Sequence, residues 1–284
     1  MKTESRFRLL LIGSTYTWMV VLALIPYLIL LGASFLERGE GTLVVSGWST
    51  VNYRHLLSPA VFGMALDSLA LAAVAALLCL LAGYPFAYIL AQAPTRAQPL
   101  LLLLVMIPFW TNSLIRTYAL VMMLKADGFV NTLLRAAGLI EAPLQLMYTP
   151  IAVFIGLVYT LLPFMILPLY AALKAVDPQL LEAGRDLGAG RVQNFFRITM
   201  PLTMPGIVAG TMLVFLPALG MFYISDILGG ARTMLLGNYI RDQFLVFRDI
   251  PMGSAASVTM TVAMGLMLAL HYLANRRSGR EMMR

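Results

Sequence analysis

Residues 182–201 read Glu-Ala-Gly-Arg-Asp-Leu-Gly-Ala-Gly-Arg-Val-Gln-Asn-Phe-Phe-Arg-Ile-Thr-Met-Pro. They form the most polar long stretch of a chain that is otherwise apolar, and they lie between two apolar runs, residues 151–169 and 207–224. A short polar turn would suffice to join two membrane helices, so a polar segment of this length indicates a further purpose. We call residues 182–201, with the flanking residues 177–181 and 202–203, the elbow.

The elbow carries start and stop signals for two short helices. Asp177 followed by Pro178 fits an N-cap with proline at the first helical position, and Gly188 fits a helix stop. Gly190 then restarts the chain and Pro201 closes the segment. A rigid knob of two helices around a glycine corner is most simply a docking surface for a partner. The residues that recur with helical periodicity are Leu180, Ala183 and Leu187 in the first arm, and Val192, Phe195, Phe196 and Thr199 in the second.

The composition places the whole chain in a membrane. Of its 284 residues, 60% are hydrophobic and 12% are charged, and the mean hydropathy is +0.84. A soluble domain carries roughly twice that charged fraction. The single cysteine, Cys79, lies in an apolar run without an accompanying acid or base, which indicates a packing role.

Six apolar runs are long enough to cross a bilayer, for which about 20 residues are needed. The first run is too long for a signal peptide and is interpreted as a retained span. The sequence therefore predicts an all-α integral membrane protein, a single transmembrane domain over residues 1–284, with a coupling region at residues 174–203. The predicted spans are residues 9–32, 66–90, 100–124, 148–173, 205–228 and 253–274.

Basic residues divide unevenly between the two sides of the membrane that these spans define. The side with both termini and the elbow has 12 of the 20 Lys and Arg residues but 5 of the 13 acids, so its net charge is +7 and the other side is neutral. The positive-inside tendency then puts the N-terminus, the C-terminus and the elbow in the cytoplasm. The basic balance reflects topology and gives no support for binding to nucleic acid.

No motif in the sequence supplies catalysis or energy. A nucleotide-binding loop requires Gly-x-x-x-x-Gly-Lys-Ser/Thr, and none of the three lysines, Lys2, Lys125 and Lys174, follows a glycine. His55 and His271 are far apart in sequence, and no Cys/His spacing suits a metal. We therefore expect no catalytic residue, no metal and no cofactor, and we expect ATP hydrolysis on another subunit.

The third predicted span contains a cation inside the membrane. Pro108 breaks its helix ladder, and polar residues 111–113 can satisfy the backbone groups that the break frees. Arg116 follows in an apolar segment, where an arginine is costly and usually has a partner. The hypothesis from sequence is an ion pair between Arg116 and Asp226 that holds an outer gate closed. The alternative is that Arg116 snorkels to the membrane interface.

Five residues of the elbow stand at fixed intervals: Glu182, Ala183, Gly188, Ile198 and Pro201. These intervals resemble the cytoplasmic signature of permeases of binding-protein-dependent ABC importers, which is Glu-Ala-Ala, three residues, Gly, nine residues, Ile, one residue and Leu-Pro. The sequence departs from that signature at Gly184, where alanine is usual, and at Met200, where leucine is usual. The glycine is expected to lower the stability of its helix by roughly 1 kcal/mol relative to alanine.

Further segments extend the resemblance to nearly the whole chain, among them Ile-Pro-Phe-Trp-Thr-Asn-Ser-Leu-Ile-Arg-Thr-Tyr at residues 107–118, and residues 161–170 and 216–230. They are similar to the permease subunits of spermidine/putrescine importers, the PotB type. The resemblance implies the six-helix MetI-like (type I) importer fold in a bacterial inner membrane. It also implies a heteromeric importer with a related second permease, two copies of an ATPase and a periplasmic polyamine-binding protein.

The resemblance assigns ATPase coupling to the elbow and a substrate path to spans three to five. A polyamine is a flexible polycation, so aromatic faces and carboxylates suit its path, although packing or an interfacial position is the alternative for each such residue. Phe195 and Phe196 brace the elbow against either its own spans or the ATPase, and the sequence leaves this open. The coupling residues are Glu182, Ala183, Gly184, Arg185, Gly188, Ile198 and Pro201, and the candidates for path or gate are Trp110, Arg116, Tyr118, Tyr159, Tyr223 and Asp226.

Other functions account for part of these features. An ABC importer permease for another small solute, such as an opine, an amine, thiamine or ferric ion, would share the spans and the elbow. An ion-coupled secondary transporter would explain the spans but not the elbow. A membrane enzyme lacks any catalytic constellation in the sequence.

Overall fold

The computed structural model describes residues 2–39, 47–230 and 234–281, and throughout these residues the regular structure is helical. A π-helical stretch, Val20–Leu24, joins α1 to α2, a second, Phe195–Thr199, joins α10 to α11, and a 3₁₀ turn, Ile107–Trp110, follows α5. The helices are α1 Lys2–Met19, α2 Ile25–Ser34, α3 Val51–Leu56, α4 Pro59–Gln92, α5 Gln98–Met106, α6 Ser113–Leu124, α7 Phe129–Ala136, α8 Pro150–Lys174, α9 Pro178–Asp186, α10 Arg191–Asn194, α11 Met200–Leu202, α12 Met204–Gly220, α13 Phe222–Gly229, α14 Leu236–Leu245 and α15 Ile250–Glu281.

Between four and six segments of the described chain have the length and composition of a membrane span. Four are helices without a sharp bend: Leu11–Ser34, Pro59–Gln92, Pro150–Lys174 and Ile250–Leu270. Two more are bent pairs, Gln98–Trp110 with Ser113–Ala136 at 92° and Arg191–Leu202 with Met204–Gly220 at 65°. The count reaches six when each bent pair is one span.

Two of the predicted spans are interrupted in the structure. The helix predicted over residues 100–124 breaks after Trp110, because Pro108 has no N–H for the helical ladder and Thr111 is extended. The helix predicted over residues 205–228 ends at Gly220 and restarts at Phe222, with Met221 outside the helical region at φ −81° and ψ 63°.

The contacts divide the chain into two compact units, residues 64–237 and residues 1–63 with 238–284. In the unit of residues 1–63 with 238–284, α2 and α3 pack on α15. Its polar contacts join the end of α2 to α3: the Asn52 amide donates to the carbonyls of Ser34 (3.1 Å) and Leu36 (2.8 Å), and the hydroxyls of Ser34 and Tyr53 lie 2.7 Å apart. The interpretation of the chain as one domain stays a prediction.

The core of the unit at residues 64–237 is the packing of α12 and α13 on α8. Glycines allow the close approach of α12: a Cβ at Gly206 would lie 2.8 Å from the Pro168 carbonyl oxygen, and one at Gly210 would lie 2.7 Å from the sulfur of Met165. Small residues of this kind bring helix backbones together where lipid supplies no hydrophobic driving force. The two helices that flank the elbow in sequence, α8 and α12, are therefore tightly packed partners.

Gln98 ties the end of α4 to α8. Its amide nitrogen donates to the carbonyls of Ala93 (2.7 Å) and Ala91 (3.3 Å), and its amide oxygen accepts from the Tyr170 hydroxyl (3.1 Å). The side chain is buried, so these bonds are shielded from competing water. This arrangement fixes the end of α4 beside the end of α8, where the elbow begins.

Candidate functional site

The first arm of the elbow is α9, and both of its ends form as the sequence predicts. The Asp177 carboxylate caps the helix by accepting from the Gln179 N–H at 2.9 Å, with Pro178 as the first helical residue. At the other end Gly188 adopts φ +85°, a left-handed conformation that a side chain disfavours. The N–H of Ala189 donates to Gly184 O (3.0 Å) and the N–H of Gly188 to Arg185 O (2.8 Å), the bond pair of a Schellman motif.

The second arm ends at Leu202, one residue beyond the predicted Pro201. Residues 191–202 form one continuous run of α10, a π-helical turn and α11, so Pro201 does not end the segment. It stands directly after the π-helical turn Phe195–Thr199, and the helical run continues through it to Leu202. The bend of 65° comes after Leu202 instead. There the Thr203 hydroxyl donates to Thr199 O at 2.9 Å. The Tyr84 hydroxyl lies 2.9 Å from the same Thr203 hydroxyl.

Phe195 braces the elbow against its own span. Its ring lies edge-on to those of Tyr84 and Tyr88 on α4, with centroids 5.4 and 6.1 Å apart and interplanar angles of 86° and 82°. Edge-to-face pairs of this kind are favourable beyond their buried area. Phe196 packs edge-on to Phe195 at 5.1 Å yet remains 59% exposed. Phe195 therefore packs against the protein's own span, and a contact of Phe196 with the ATPase stays a prediction.

Gly184 lies where the two arms of the elbow touch. A Cβ at this position would overlap the side-chain oxygen of Asn194 and lie 2.7 Å from the terminal methyl of Ile198. Asn194 is buried, and its amide donates to Leu181 O at 2.8 Å, which fixes the side chain against α9. Among the described residues the Asn194 oxygen has no conventional hydrogen-bond donor, and it faces the Cα–H that glycine carries in place of a Cβ. The glycine that costs helix propensity therefore lets the two arms of the corner pack closely.

The outer face of the elbow is exposed and mixed in character. Glu182, Ala183 and Arg185 are exposed on α9, and Leu187 at its end is 89% exposed. With Phe196 on the second arm, these residues place apolar side chains within a charged rim, the composition of a protein interface. Of the predicted coupling residues, Gly184, Gly188 and Ile198 build the corner and the others lie on its surface.

The break in the third predicted span is closed by its own polar residues. The Thr111 hydroxyl donates to Pro108 O at 2.8 Å, and the Asn112 side chain caps α6 by accepting from Leu114 N at 2.8 Å. Trp110, at the corner of the 92° bend, is 75% exposed. Broken helices within a membrane are tolerated where such groups replace the lost backbone bonds.

Arg116 lies beside a ring and forms no ion pair with Asp226, so the predicted Arg116–Asp226 pair is wrong for this structure. The guanidinium carbon is 5.6 Å from the centroid of Phe109, and Phe109 in turn meets Phe164 edge-on at 4.8 Å. The side chain is 8% exposed, so it does not snorkel, and its Nε and Nη1 have no hydrogen-bond partner in the described chain. The 92° bend explains why Arg116 lies beside Phe109 and not beside Asp226, because it turns the start of α6 toward the preceding turn, Ile107–Trp110.

The remaining path candidates lie mostly on the outside of this chain. Tyr118 and Tyr159 are exposed, whereas Tyr223 and Asp226 on α13 are half-buried. The Tyr223 ring lies 6.4 Å from that of Phe222. No three His, Cys, Asp or Glu side chains come together as a metal site within the residues that the structure describes.

Residues 83–283 match the family described as "Binding-protein-dependent transport system inner membrane component". The chain belongs to this family. The permease is therefore the inner membrane component of a transport system that depends on a binding protein, and it is a transport component rather than an enzyme.

Several curated relatives are similar to the permease over nearly its full length. The "Spermidine/putrescine transport system permease protein PotB" of Salmonella typhimurium (strain SL1344) is 50% identical, and the match covers 97% of the permease and 96% of the relative. The proteins of the same description from Escherichia coli (strain K12) and Haemophilus influenzae (strain ATCC 51907 / DSM 11121 / KW20 / Rd) are 51% and 46% identical, with 91% and 98% of the permease covered and 94% and 97% of the relatives.

Two solved structures share the fold of the permease. A bacterial ABC transporter involved in the import of the acidic polysaccharide alginate has a chain with a TM-score of 0.74 and 20% identity, covering 97% of the permease and 98% of that chain. The bacterial alginate ABC transporter in complex with alginate pentasaccharide-bound periplasmic protein gives a TM-score of 0.77 at 19% identity, covering 97% and 96%. The predicted all-α importer-permease fold is confirmed.

Sequence reasoning missed the residues that lock the elbow of the permease. Tyr84 and Tyr88 are spaced four residues apart, which puts both on one face of α4, and this spacing was a readable signal. Asn194 gives no such signal, since its partner Gly184 is ten residues away across a turn.

Proposed function

We propose that this permease forms part of an ATP-driven importer of polyamines, spermidine or putrescine, across the bacterial inner membrane. The observation that carries the proposal is identity of 50% over 97% of the chain to a spermidine/putrescine permease. The importer also contains a second homologous permease, a dimeric ATPase and a periplasmic polyamine-binding protein. The N- and C-termini and the elbow lie in the cytoplasm, on the side where basic residues predominate.

The elbow transmits the closure of the ATPase to the membrane helices. Support comes from its construction: a corner locked by Gly184 and Asn194, an aromatic brace through Phe195, and an exposed face at Leu187 and Phe196. A corner of this kind moves as a body when its exposed face is displaced. Glu182 and Arg185 supply charged contacts at the rim of that face.

The polyamine path uses aromatic faces more than carboxylates. Trp110 at the break of the third span, with Tyr118 and Tyr159, presents rings that attract ammonium groups. These rings are exposed on the isolated chain, so the second permease completes the path opposite them. Tyr223 and Asp226 line the same route from α13.

Reconstitution with purified partners tests the proposal. The complete importer in proteoliposomes is expected to take up labelled spermidine or putrescine, and the cognate binding protein loaded with that polyamine is expected to stimulate ATPase activity. Thiamine, ferric ion and opines serve as competing solutes. Stimulation by one of them and not by polyamines would assign the permease to another substrate, and uptake that survives without the ATPase but fails with an uncoupler would show a secondary transporter.

A further inference from the structure

A cleft lies between the elbow and the end of α4. Two adjoining cavities of about 420 and 340 Å³ form it and share Tyr88, Gln92, Leu181, Arg185 and Thr199 among their lining residues. Arg191 lines the first cavity and Lys174 the second. We call the two cavities together the basic cleft.

The basic cleft carries uncompensated positive charge. Lys174, Arg185 and Arg191 line it, and neither cavity has an acidic side chain among its lining residues. Within the described residues none of the three cations forms an ion pair within 4.0 Å. Lys174 and Arg185 each lie in the last turn of a helix, where a cation is favourable, but Arg191 lies in the first turn of the second arm, where it is not. A helix dipole therefore does not explain the cluster.

The proposed membrane orientation puts the cleft near the depth of the lipid headgroups. Helix α8 has 25 residues and is therefore about 37 Å long, which exceeds a hydrocarbon core of about 30 Å. Lys174 ends α8 and Gln92 ends α4, so both stand where spans leave the core. Apolar residues of the second cavity, Leu173 and Val176 among them, give it a wall that suits the glycerol and upper acyl carbons of a lipid.

We propose that the basic cleft binds the phosphate of an anionic phospholipid headgroup. Guanidinium groups bind phosphate oxygens in pairs, an ammonium binds them as a point charge, and the Gln92 amide and Tyr88 hydroxyl add neutral donors. A soluble anion would use the cations but leave the apolar wall of the second cavity in water. The bound headgroup would hold the elbow against the end of α4, so that the lipid composition of the membrane sets how firmly the coupling surface is fixed. The inference rests on the proposed membrane orientation of the elbow.

Lipid retention by the assembled importer tests the proposal. The importer is reconstituted in nanodiscs of phosphatidylethanolamine and phosphatidylglycerol, extracted in mild detergent, and its retained lipids are counted by native mass spectrometry. Each cation near a lipid surface is expected to change affinity about fivefold, so the double variant Lys174→Gln/Arg191→Gln should lose preference for phosphatidylglycerol by about 30-fold. The matched control is Arg197→Gln, which removes an exposed cation of the same arm that does not line the cleft.

Three outcomes would overturn the proposal. The first is equal retention of phosphatidylglycerol by the double variant and the control. The second is displacement of the lipid by inorganic phosphate, which would show a site for a soluble anion. The third uses a photoreactive benzophenone side chain in place of Gln92: crosslinks to the ATPase instead of to phospholipid would show a protein contact. Because none of these readouts requires transport, a failure of polyamine uptake in the same importer would count against the proposed function alone.

Discussion

Gly184→Ala is expected to weaken the elbow, although alanine is the better helix former and is usual at this position in the signature that the chain resembles. In the helix interior the exchange favours folding by about 1 kcal/mol. Against this stands the overlap of the new methyl with the Asn194 oxygen and with Ile198, 2.7 Å away. Overpacking a tight contact costs about 1–3 kcal/mol. The net effect is a loss of up to about 2 kcal/mol.

The loss arises because neither neighbour moves freely. Rotation of the Asn194 side chain would break its hydrogen bond to Leu181 O, which is worth about 1 kcal/mol. The buried amide would then lie against apolar groups without a hydrogen-bond acceptor. Ile198 packs in the π-helical turn beside Phe195, which is itself held by Tyr84 and Tyr88. The cost therefore falls on the corner as a whole.

Hydrogen exchange of the corner amides measures this loss directly. In the assembled importer, the amides of Gly188 and Ala189 open with the corner, and a loss of up to about 2 kcal/mol should speed their exchange by up to about 30-fold. Gly190→Ala is the matched control, because a Cβ there meets nothing within 4 Å and its φ of −66° suits alanine. Its effect on exchange is expected to be smaller than that of Gly184→Ala and to come only from the cap of α10, where alanine is less favourable than glycine.

The double variant Gly184→Ala/Asn194→Ala identifies the cause. Removal of the Asn194 side chain relieves the overlap, so the double variant should exchange more slowly than Gly184→Ala alone despite the loss of a hydrogen bond. Residues in contact show such non-additive coupling. Exchange in Gly184→Ala that is as slow as in the wild type, or a double variant that is faster than the single one, would refute the interlock.

Three further predictions concern coupling and the buried arginine. Gly188→Val puts a β-branched residue at φ +85° and should uncouple ATP hydrolysis from uptake while circular dichroism and gel filtration of the importer stay unchanged; normal uptake would contradict it. Phe195→Ala should lower the thermal midpoint of the importer, with a loss of about 1–3 kcal/mol in stability. Phe196→Ala should leave the midpoint unchanged and weaken association with the ATPase. Equal effects of the two substitutions would show that both side chains have the same role. Arg116→Met should raise the thermal midpoint or leave it unchanged, because it removes two buried guanidinium nitrogens that have no acceptor among the described residues. A loss of about 3–5 kcal/mol would indicate a buried ion pair instead.

Local chemistry made the ends of α9 predictable. The Asp177 cap and the Gly188 corner depend on neighbours within a few residues, and both form as the sequence indicates. The same holds at the break of the third span, where Asn112 caps the helix that follows Pro108. Helix caps and glycines with a left-handed backbone conformation depend on a few neighbouring residues, so they can be predicted from the local sequence.

Contacts across the fold were not predictable in this way. The choice of Phe109 over Asp226 as neighbour of Arg116 depends on a bend of 92°, and no spacing rule gives that angle. The effect of Gly184 on stability depends likewise on its contact with Asn194, and this contact forms only once the turn between the two arms has formed. Helix propensity alone predicts that this glycine destabilises α9, whereas the structure shows that its missing side chain allows close packing with the second arm.

The path of the chain through the elbow closes on itself. Helix α8 leads through three residues into α9, the second arm leads through Thr203 into α12, and α12 returns to pack on α8 through Gly206 and Gly210. The four segments α8, α9, the second arm and α12 therefore form a closed circuit, because the last packs on the first. We expect a displacement of the elbow to reach both spans at once, since each of them continues directly from one of its arms.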